Sequence, residues 1–435
     1  MFNETGEMRI AKSKSILMAN LKVEILETIN QPVDAVFIDA SAILWTIHWP
    51  ENGKVIDFIK NIKIYLSKKL QLQDVYLVFD RYFDYSTKDS TLSGRYSNST
   101  SYHQLTEETL LPPQKTILGN VRNKVQLISL IVKSLVTDEH FHATSTTGHN
   151  LIVTGHDSTP DEISDGEIIL DRRDMISSHE EADVLLIHQL IAVRETVSNS
   201  VLIISGDTDV FVLLLTFCKK YNLSFDIFME SPVKDRSLID IKKTIERHEN
   251  IISELLPAHA ISGCDTVACL FGIGKGAVIK ALRRGFKFKH IGNQDSCLDD
   301  VSKEATEFIV SCYGIKTAKT MSEARLYAWS NKAGKSVVTC PKLEALPPTT
   351  EAFLENVKRG HLQACVWSSA DRGEPPDMSP EKFGFMKDQK TNSLKPVLLP
   401  VGVALAPDYV LNLINCNCQA MESACSSRRC KCRAA

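Results

Sequence analysis

With 435 residues and 43% hydrophobic side chains, the chain has material for a sizeable core and, at ordinary domain sizes, for two domains. No apolar run approaches the roughly 18 residues of a membrane span, and the opening MFNETGEMRIAKSKS lacks the charged-then-apolar layout of a signal peptide, so a soluble intracellular protein without a membrane partner is expected. A net charge of -3 does not by itself mark a nucleic-acid binder, yet it is compatible with one whose binding face is locally basic.

In chain order, the first strand-like run is 33-VDAVFIDA-40, unbroken enough to be buried on both faces of a parallel sheet, and it delivers Asp39. The stretch 54-KVIDFIKNIKIYLSKKL-70 has apolar residues at helical spacing with lysines between them, and 74-DVYLVFD-80 is a second buried run ending on Asp80. Between residues 81 and 113 Ser, Thr, Tyr, Lys and Arg replace the apolar periodicity, the pattern of a mobile loop or arch over a site. Helix is expected again at 122-RNKVQLISLIVKSLV-136, strand at 150-NLIVTG-155, and helix at 180-EEADVLLIHQLIAVRE-195, opened by Glu181 and Asp183. The run 201-VLIISGDTD-209 delivers Asp207 and Asp209, and two helices are expected over 238–262 with a break near Glu249 or Asn250. This alternation predicts an α/β fold of three layers with a mainly parallel central sheet.

Ligands of open α/β sheets bind at the carboxyl ends of the strands. Asp39, Asp80, Asp207 and Asp209 are therefore expected to converge, joined by Glu181 and Asp183 from a helix mouth and by Asp265 farther along. Each acid alone would be an ordinary turn or helix cap. Gathered in one crevice they would repel one another and raise each other's pKa unless a cation joined them, and hard Mg²⁺ or Mn²⁺ ions suit all-oxygen ligands. Two such ions are expected, serving phosphodiester hydrolysis. His179 and His188 flank the acidic helix and are read as structural or surface residues.

The segment 262-SGCDTVACLFGIGKGAVIKALRRG-285 carries a glycine-rich turn between helical stretches. Its Gly272, Gly274 and Gly276 permit a tight hairpin whose amides can approach a phosphate, with Lys275, Lys280, Arg283 and Arg284 as a basic patch. Such an element holds a nucleic-acid backbone without reading bases.

These residues together resemble the flap endonucleases and XPG-type structure-specific nucleases of the PIN-like superfamily, over about residues 30 to 290. The matching motifs are FIDAS (Asp39), LVFD (Asp80), EEAD (Glu181, Asp183), SGDTD (Asp207, Asp209) and SGCD (Asp265), followed by the GIG hairpin of a helix-three-turn-helix. The resemblance implies a PIN/flap-endonuclease-like fold, those seven carboxylates as metal ligands, and a Lys and an Arg in the arch on the scissile phosphate, a spacing shown by Lys88 and Arg95. Asp183 stands where the family commonly has Glu, and Lys275 follows GIG where the family has Pro or a basic residue. No sliding-clamp peptide is evident.

Residues 297–330 and the later part of 340–370 read as helical, and 371–400 as irregular chain rich in Pro, Gly and charge. The tail spaces Cys416, Cys418, Cys425, Cys430 and Cys432 as C-x-C-x6-C-x4-C-x-C among basic residues. It resembles the start of a tesmin/TSO1-type CXC module, which implies Zn²⁺ and DNA binding; a reactive thiol tail is the plainer alternative.

The expected organisation is a nuclease domain over 1–290 (arch 81–113, helix-three-turn-helix 262–290), a helical extension over 291–370, a linker over 371–411 and a Cys-rich tail over 412–435, the last two forming a small irregular C-terminal region. The expected activity is metal-dependent, structure-specific hydrolysis of branched or single-strand-bearing DNA, with RNA left open, in the nucleus, with a protein partner through the C-terminal region as a further expectation. Two rivals are a catalytically silent nucleic-acid-binding scaffold with a zinc-binding tail, and a PIN-type endoribonuclease.

Overall fold

Strand β2 (Ala35–Asp39) has every residue buried, which only a central strand covered on both faces can achieve. A computed structural model gives the structure and describes residues 1–2, 7–11, 14–25, 33–83, 85–87, 101–169, 172–233, 237–333, 345–389 and 392–400. Its main sheet is built from β1 (Glu24–Ile25), β2, β3 (Asp74–Val78), β4 (Leu151–Thr154), β5 (Asp161–Ser164), β6 (Glu167–Ile169), β7 (Ser200–Ile204), β8 (Asp226–Glu230) and β9 (Leu238–Asp240). The spatial order is β1-β9-β8-β7-β2-β3-β4-β5-β6. The centre, β8-β7-β2-β3-β4, is parallel, and antiparallel strands close both edges.

Alternate residues of each strand feed two cores. Val36, Ile38, Val75, Leu77 and Leu202 face a layer made by α2 (Ala40–Leu44), α3 (Val55–Leu70), α4 (Gln114–Leu118), α5 (Val121–Thr137) and α6 (Glu139–Ser145). Phe37, Tyr76, Val201 and Ile203 face the opposite layer: α1 (Ser15–Leu21), α7 (Ala182–Ala192), α8 (Thr208–Tyr221), α9 (Ile241–Arg247), α10 (Glu249–Ile261), α11 (Lys275–Arg283), α12 (Leu298–Cys312), α13 (Met321–Ala333) and α14 (Thr350–Ser368). The class is therefore a three-layer α/β fold with a mixed, mostly parallel sheet, as the strand and helix periodicities predict.

Three stretches differ from the sequence reading. Leu238–Asp240 is a strand paired between β1 and β8 rather than the start of a helix, because Asp240 breaks the pattern by accepting from Lys243 N (2.9 Å) and capping α9; the expected break between two helices falls at His248. Helices α12 to α14 are no appendage: Phe308, Phe353 and Trp367 belong to the same core as the sheet. Within the stretch read as irregular linker, β10 (Phe385–Asp388) and β11 (Ser393–Pro396) pair as an antiparallel hairpin, seated by Phe385 and Leu394 against Leu362. That hairpin has only two buried anchors, too few to register as a period amid Pro and charge.

One glycine sets how closely α14 approaches the centre. A side chain at Gly360 would put its Cβ 2.9 Å from Ile261 Cδ1 and 3.2 Å from Ile261 Cα, so only glycine lets α14 lie on α10 at this distance. The register brings Gln363 and Trp367, one and two turns on, to the carboxyl edge of the sheet.

Candidate metal centre

Strand order reverses at β2, which continues through α3 to β3 on one side and pairs with β7 on the other. At that switch the carboxyl ends of the strands open a cleft of about 440 Å³. Asp39, Asp80, Glu181, Asp183, Asp207, Asp209 and Asp265 all line it. The seven carboxylates read from the sequence are thus brought together.

Local capping explains much of their placement. Asp39 Oδ1 accepts from Ala42 N (3.2 Å), capping α2, while its Oδ2 accepts from Ser205 Oγ (3.2 Å). Asp207 caps α8 by accepting from Asp209 N (2.9 Å), and its own backbone N–H donates to Ser205 Oγ (3.1 Å). Asp80 caps a helix distant in sequence: its Oδ1 accepts from Ala182 N (3.0 Å), at the first residue of α7. The cap function of a strand-end Asp and its place in the cleft are the same geometry.

Arg81, the first residue after Asp80, is buried rather than part of a polar arch. Its guanidinium donates to the carbonyls of Gly155 (3.1 Å), His179 (3.2 Å), Ser177 and Asp157, and its backbone N–H donates to Glu180 O (2.9 Å). It thereby ties the end of β3 to the segment that enters α7. Glu181 is then fixed from the other side, where its Oε2 accepts from Gln363 Nε2 (3.3 Å) and Trp367 Nε1 (3.2 Å), both on α14.

Burial and mutual repulsion govern the charges. Burial, then Asp80 and Asp207, push Asp39 up to about 6. Burial raises Asp183 well above the carboxylate range, reinforced by Asp207, Asp209, Asp39 and Glu181. Asp207 is raised too, by burial and by Asp209. Asp209 goes the other way: burial opposes ionisation, but the ammonium of Lys14 and a hydrogen bond from His259 hold it below the usual range. Lys14 Nζ stands 2.8 Å from Asp207, 3.2 Å from Asp209 and 3.6 Å from Asp265. At the opposite wall Lys124 Nζ donates to Ser41 Oγ (3.1 Å), lies 3.9 Å from Asp80 and sits over the Tyr82 ring.

Asp183, Asp207 and Asp209 each present a carboxylate oxygen within 4.8 Å of the others. An all-oxygen donor set in which Asp183 lacks the charge compensation that Asp209 receives suits a hard divalent ion such as Mg²⁺ or Mn²⁺. Among the described residues no cysteine joins such a cluster, and the six described cysteines are free thiols. Cys416, Cys418, Cys425, Cys430 and Cys432 lie outside the described residues, as do Lys88 and Arg95.

The basic hairpin divides. Lys280 and Arg283 on α11 and Arg284 just past its end are exposed, as are Gly272, Gly274 and Gly276 around its start. Lys275 is a correction: it is buried, and its Nζ donates to His259 O (2.9 Å), Ser262 Oγ (2.9 Å) and Gly263 O (2.6 Å). Its ammonium is spent on the carboxyl end of α10 and is closed to a phosphate. It braces the turn in which Gly263, at φ +115°, has no room for a Cβ against Cys269 Cα at 2.9 Å, and from which Asp265 emerges. His179 and His188 are buried and do not line the cleft.

Lys14, Lys124, His259, Gln363 and Trp367 escaped the sequence reading. Each comes from a segment remote from the acids, and a single Lys or His in an apolar pattern gives no signal of its destination. The run ELLPAHAIS held the one available hint, a histidine and a proline inside a buried helix.

The sequence matches no protein-family profile and no curated protein. Among solved structures, the chain is similar to the catalytic core of Rad2 in complex with DNA substrate (complex II), with 11% identity, 84% of this chain and 95% of that chain covered, and a TM-score of 0.38. For complex III of the same core the values are 14%, 82%, 95% and 0.38. At that score the likeness says nothing about individual residues.

Proposed function

We propose that the protein is a divalent-metal-dependent phosphodiesterase acting on nucleic acid, with branched or single-strand-bearing DNA as the leading substrate class and RNA as the alternative polymer. The observation that carries this reading is the convergence of Asp183, Asp207 and Asp209 oxygens within 4.8 Å at the topological switch of the sheet, inside a cleft lined by four further carboxylates. A bound Mg²⁺ or Mn²⁺ supplies the Lewis acidity that activates water and offsets phosphate charge.

The chain's own groups would do the rest. Asp39, Asp80, Glu181 and Asp183 form one wall of ligands and Asp207, Asp209 and Asp265 the other. Lys124 offers an ammonium at the cleft for a phosphate oxygen, the part assigned from sequence to Lys88 and Arg95. Trp45, also lining the cleft and 46% exposed, offers an aromatic face on which a base can stack. Lys280, Arg283 and Arg284 would grip a duplex arm through its backbone. A nuclear location and a DNA-binding Zn²⁺ tail with a protein partner belong to the same reading.

A catalytically silent scaffold is the second reading, and Lys14 favours it, since an ammonium among the acids lowers the cost of leaving them without an ion. End-labelled flap, bubble, hairpin and linear DNA with RNA equivalents, incubated with Mg²⁺, Mn²⁺ or EDTA, decide between them. Metal-dependent cutting near a junction, lost in an Asp207→Asn/Asp209→Asn variant, supports the nuclease. Equal binding by wild type and variant with no cutting supports the scaffold.

A further inference from the structure

The ammonium of Lys14 occupies the centre of the carboxylate group that the sequence reading gives to a second metal ion. It contacts Asp207 at 2.8 Å, Asp209 at 3.2 Å and Asp265 at 3.6 Å. A Mg²⁺ ion needs oxygens at about 2.0–2.1 Å in near-octahedral array. Placed among the same three carboxylates, it would lie within van der Waals reach of the ammonium and would be repelled by it. Lysine and ion are alternatives at this position.

The lysine is not on a loose arm. It is the residue before α1, and its carbonyl accepts from Leu17 N (3.0 Å), which locks it into the first turn. Leu17 and Leu21 of that helix are buried in the main core. The packed helix delivers the ammonium, so removing it from the acids would mean either rotating a long side chain out of a favourable triple contact or unseating the helix. The Asp183 carboxylate is within 4.8 Å of both Asp207 and Asp209 and has no lysine contact among the described ion pairs.

We propose that Lys14 is a resident cation taking the place of a second metal, so that this centre holds one divalent ion, beside Asp183, together with one lysine. The inference rests on the metal-dependent reading above and narrows it to the number of ions. It also assigns the N-terminal helix a part in the site: α1 sets the charge balance of the cleft.

The test is a titration of the 435-residue protein with Mn²⁺, counting bound ions by electron paramagnetic resonance and calorimetry, for wild type, Lys14→Met and Lys14→Arg. Wild type and Lys14→Arg are expected to bind one ion in the micromolar to millimolar range. Lys14→Met is expected to bind two, the added ion at least about tenfold tighter than any second ion on the wild-type chain. Two ions bound by wild type and Lys14→Met with the same affinities would overturn the lysine's role while leaving the metal-dependent reading standing. Binding of no ion by any folded form, checked by circular dichroism, would overturn that reading and this inference with it. If Lys14→Met does not fold, two tightly held ions on the wild-type protein suffice to overturn the assignment.

Discussion

His259 Nε2 lies 2.8 Å from Asp209 Oδ1, with both groups buried and the imidazole stacked on Trp367 at 5.6 Å and 11°. Since Trp367 Nε1 also donates to Glu181 Oε2 (3.2 Å), one continuous contact path runs from the Asp207/Asp209 wall of the cleft to the Glu181 wall. Burial, then Lys275, lower the histidine to about 4, so it is neutral at ordinary pH and its single N–H points at Asp209. Partners of this kind orient a ligand carboxylate and keep it ionised.

Replacing that donor should loosen metal binding without emptying the cleft. His259→Phe is expected to weaken Mn²⁺ binding by about 10–100-fold, whereas His259→Gln, which keeps an N–H donor, should recover most of the loss. Calorimetry at fixed pH measures both. Equal affinity in wild type and His259→Phe would show that Asp209 needs no orienting partner.

Asp183 should trade stability for function. Burial, then Asp207, Asp209, Asp39 and Glu181, oppose its ionisation, so Asp183→Asn removes a disfavoured charge. In EDTA the variant is expected to melt a few degrees above wild type, a gain on the order of 1 kcal/mol. Added Mg²⁺ or Mn²⁺ should raise the melting temperature of wild type and leave the variant unmoved, and cleavage should be lost. Thermal melts with and without metal check this; a variant less stable than wild type in EDTA contradicts it.

The pH dependence follows from Asp39. Its folded-state value of about 6 lies above the ordinary 3.8, so the folded chain holds the proton more tightly than the unfolded chain does. Its contribution to stability is fully present below about 3.8 and is lost as pH rises through about 6. In EDTA, wild type should therefore lose stability relative to Asp39→Asn between those values. Metal binding requires the same proton to leave, so apparent Mn²⁺ affinity should rise with pH across the interval, and the raised Asp183 and Asp207 should carry that rise beyond it. Paired melts and metal titrations from acid to neutral pH measure both slopes.

How much of this was legible beforehand depended on whether a residue's role is written in its neighbours. Asp39, Asp80 and Asp207 follow apolar runs that can only be buried strands, so their position at a sheet edge is a local consequence. Glu181 and Asp183 open a helix, again a local signal. Lys14, Lys124, His259 and Trp367 reach the cleft because helices from four other parts of the chain pack onto the same sheet, and no spacing rule encodes that docking. Lys275 shows the converse error. Its glycine-flanked, basic context reads as a phosphate grip, and only the three-dimensional turn reveals that the carboxyl end of α10 consumes the ammonium.

That division makes the last prediction a contrast within one helix. Lys280, Arg283 and the C-cap residue Arg284 of α11 are exposed to solvent, so replacing them with alanine should cost little stability and should weaken duplex binding similarly for all sequences. If each meets one phosphate, the slope of log affinity against log salt should become shallower by about 0.9 per residue removed. Lys275→Met should do the opposite. The carbonyls of His259 and Gly263 and the hydroxyl of Ser262 lose their shared donor inside the core, a cost of roughly 1–3 kcal/mol for the buried polar groups left behind. The salt slope of whatever folded protein remains should be unchanged, because Lys275 releases no counterion from a phosphate. Chemical denaturation and binding isotherms at several salt concentrations separate the two classes. A change in salt slope for Lys275→Met at unaltered stability would return that lysine to the nucleic-acid interface.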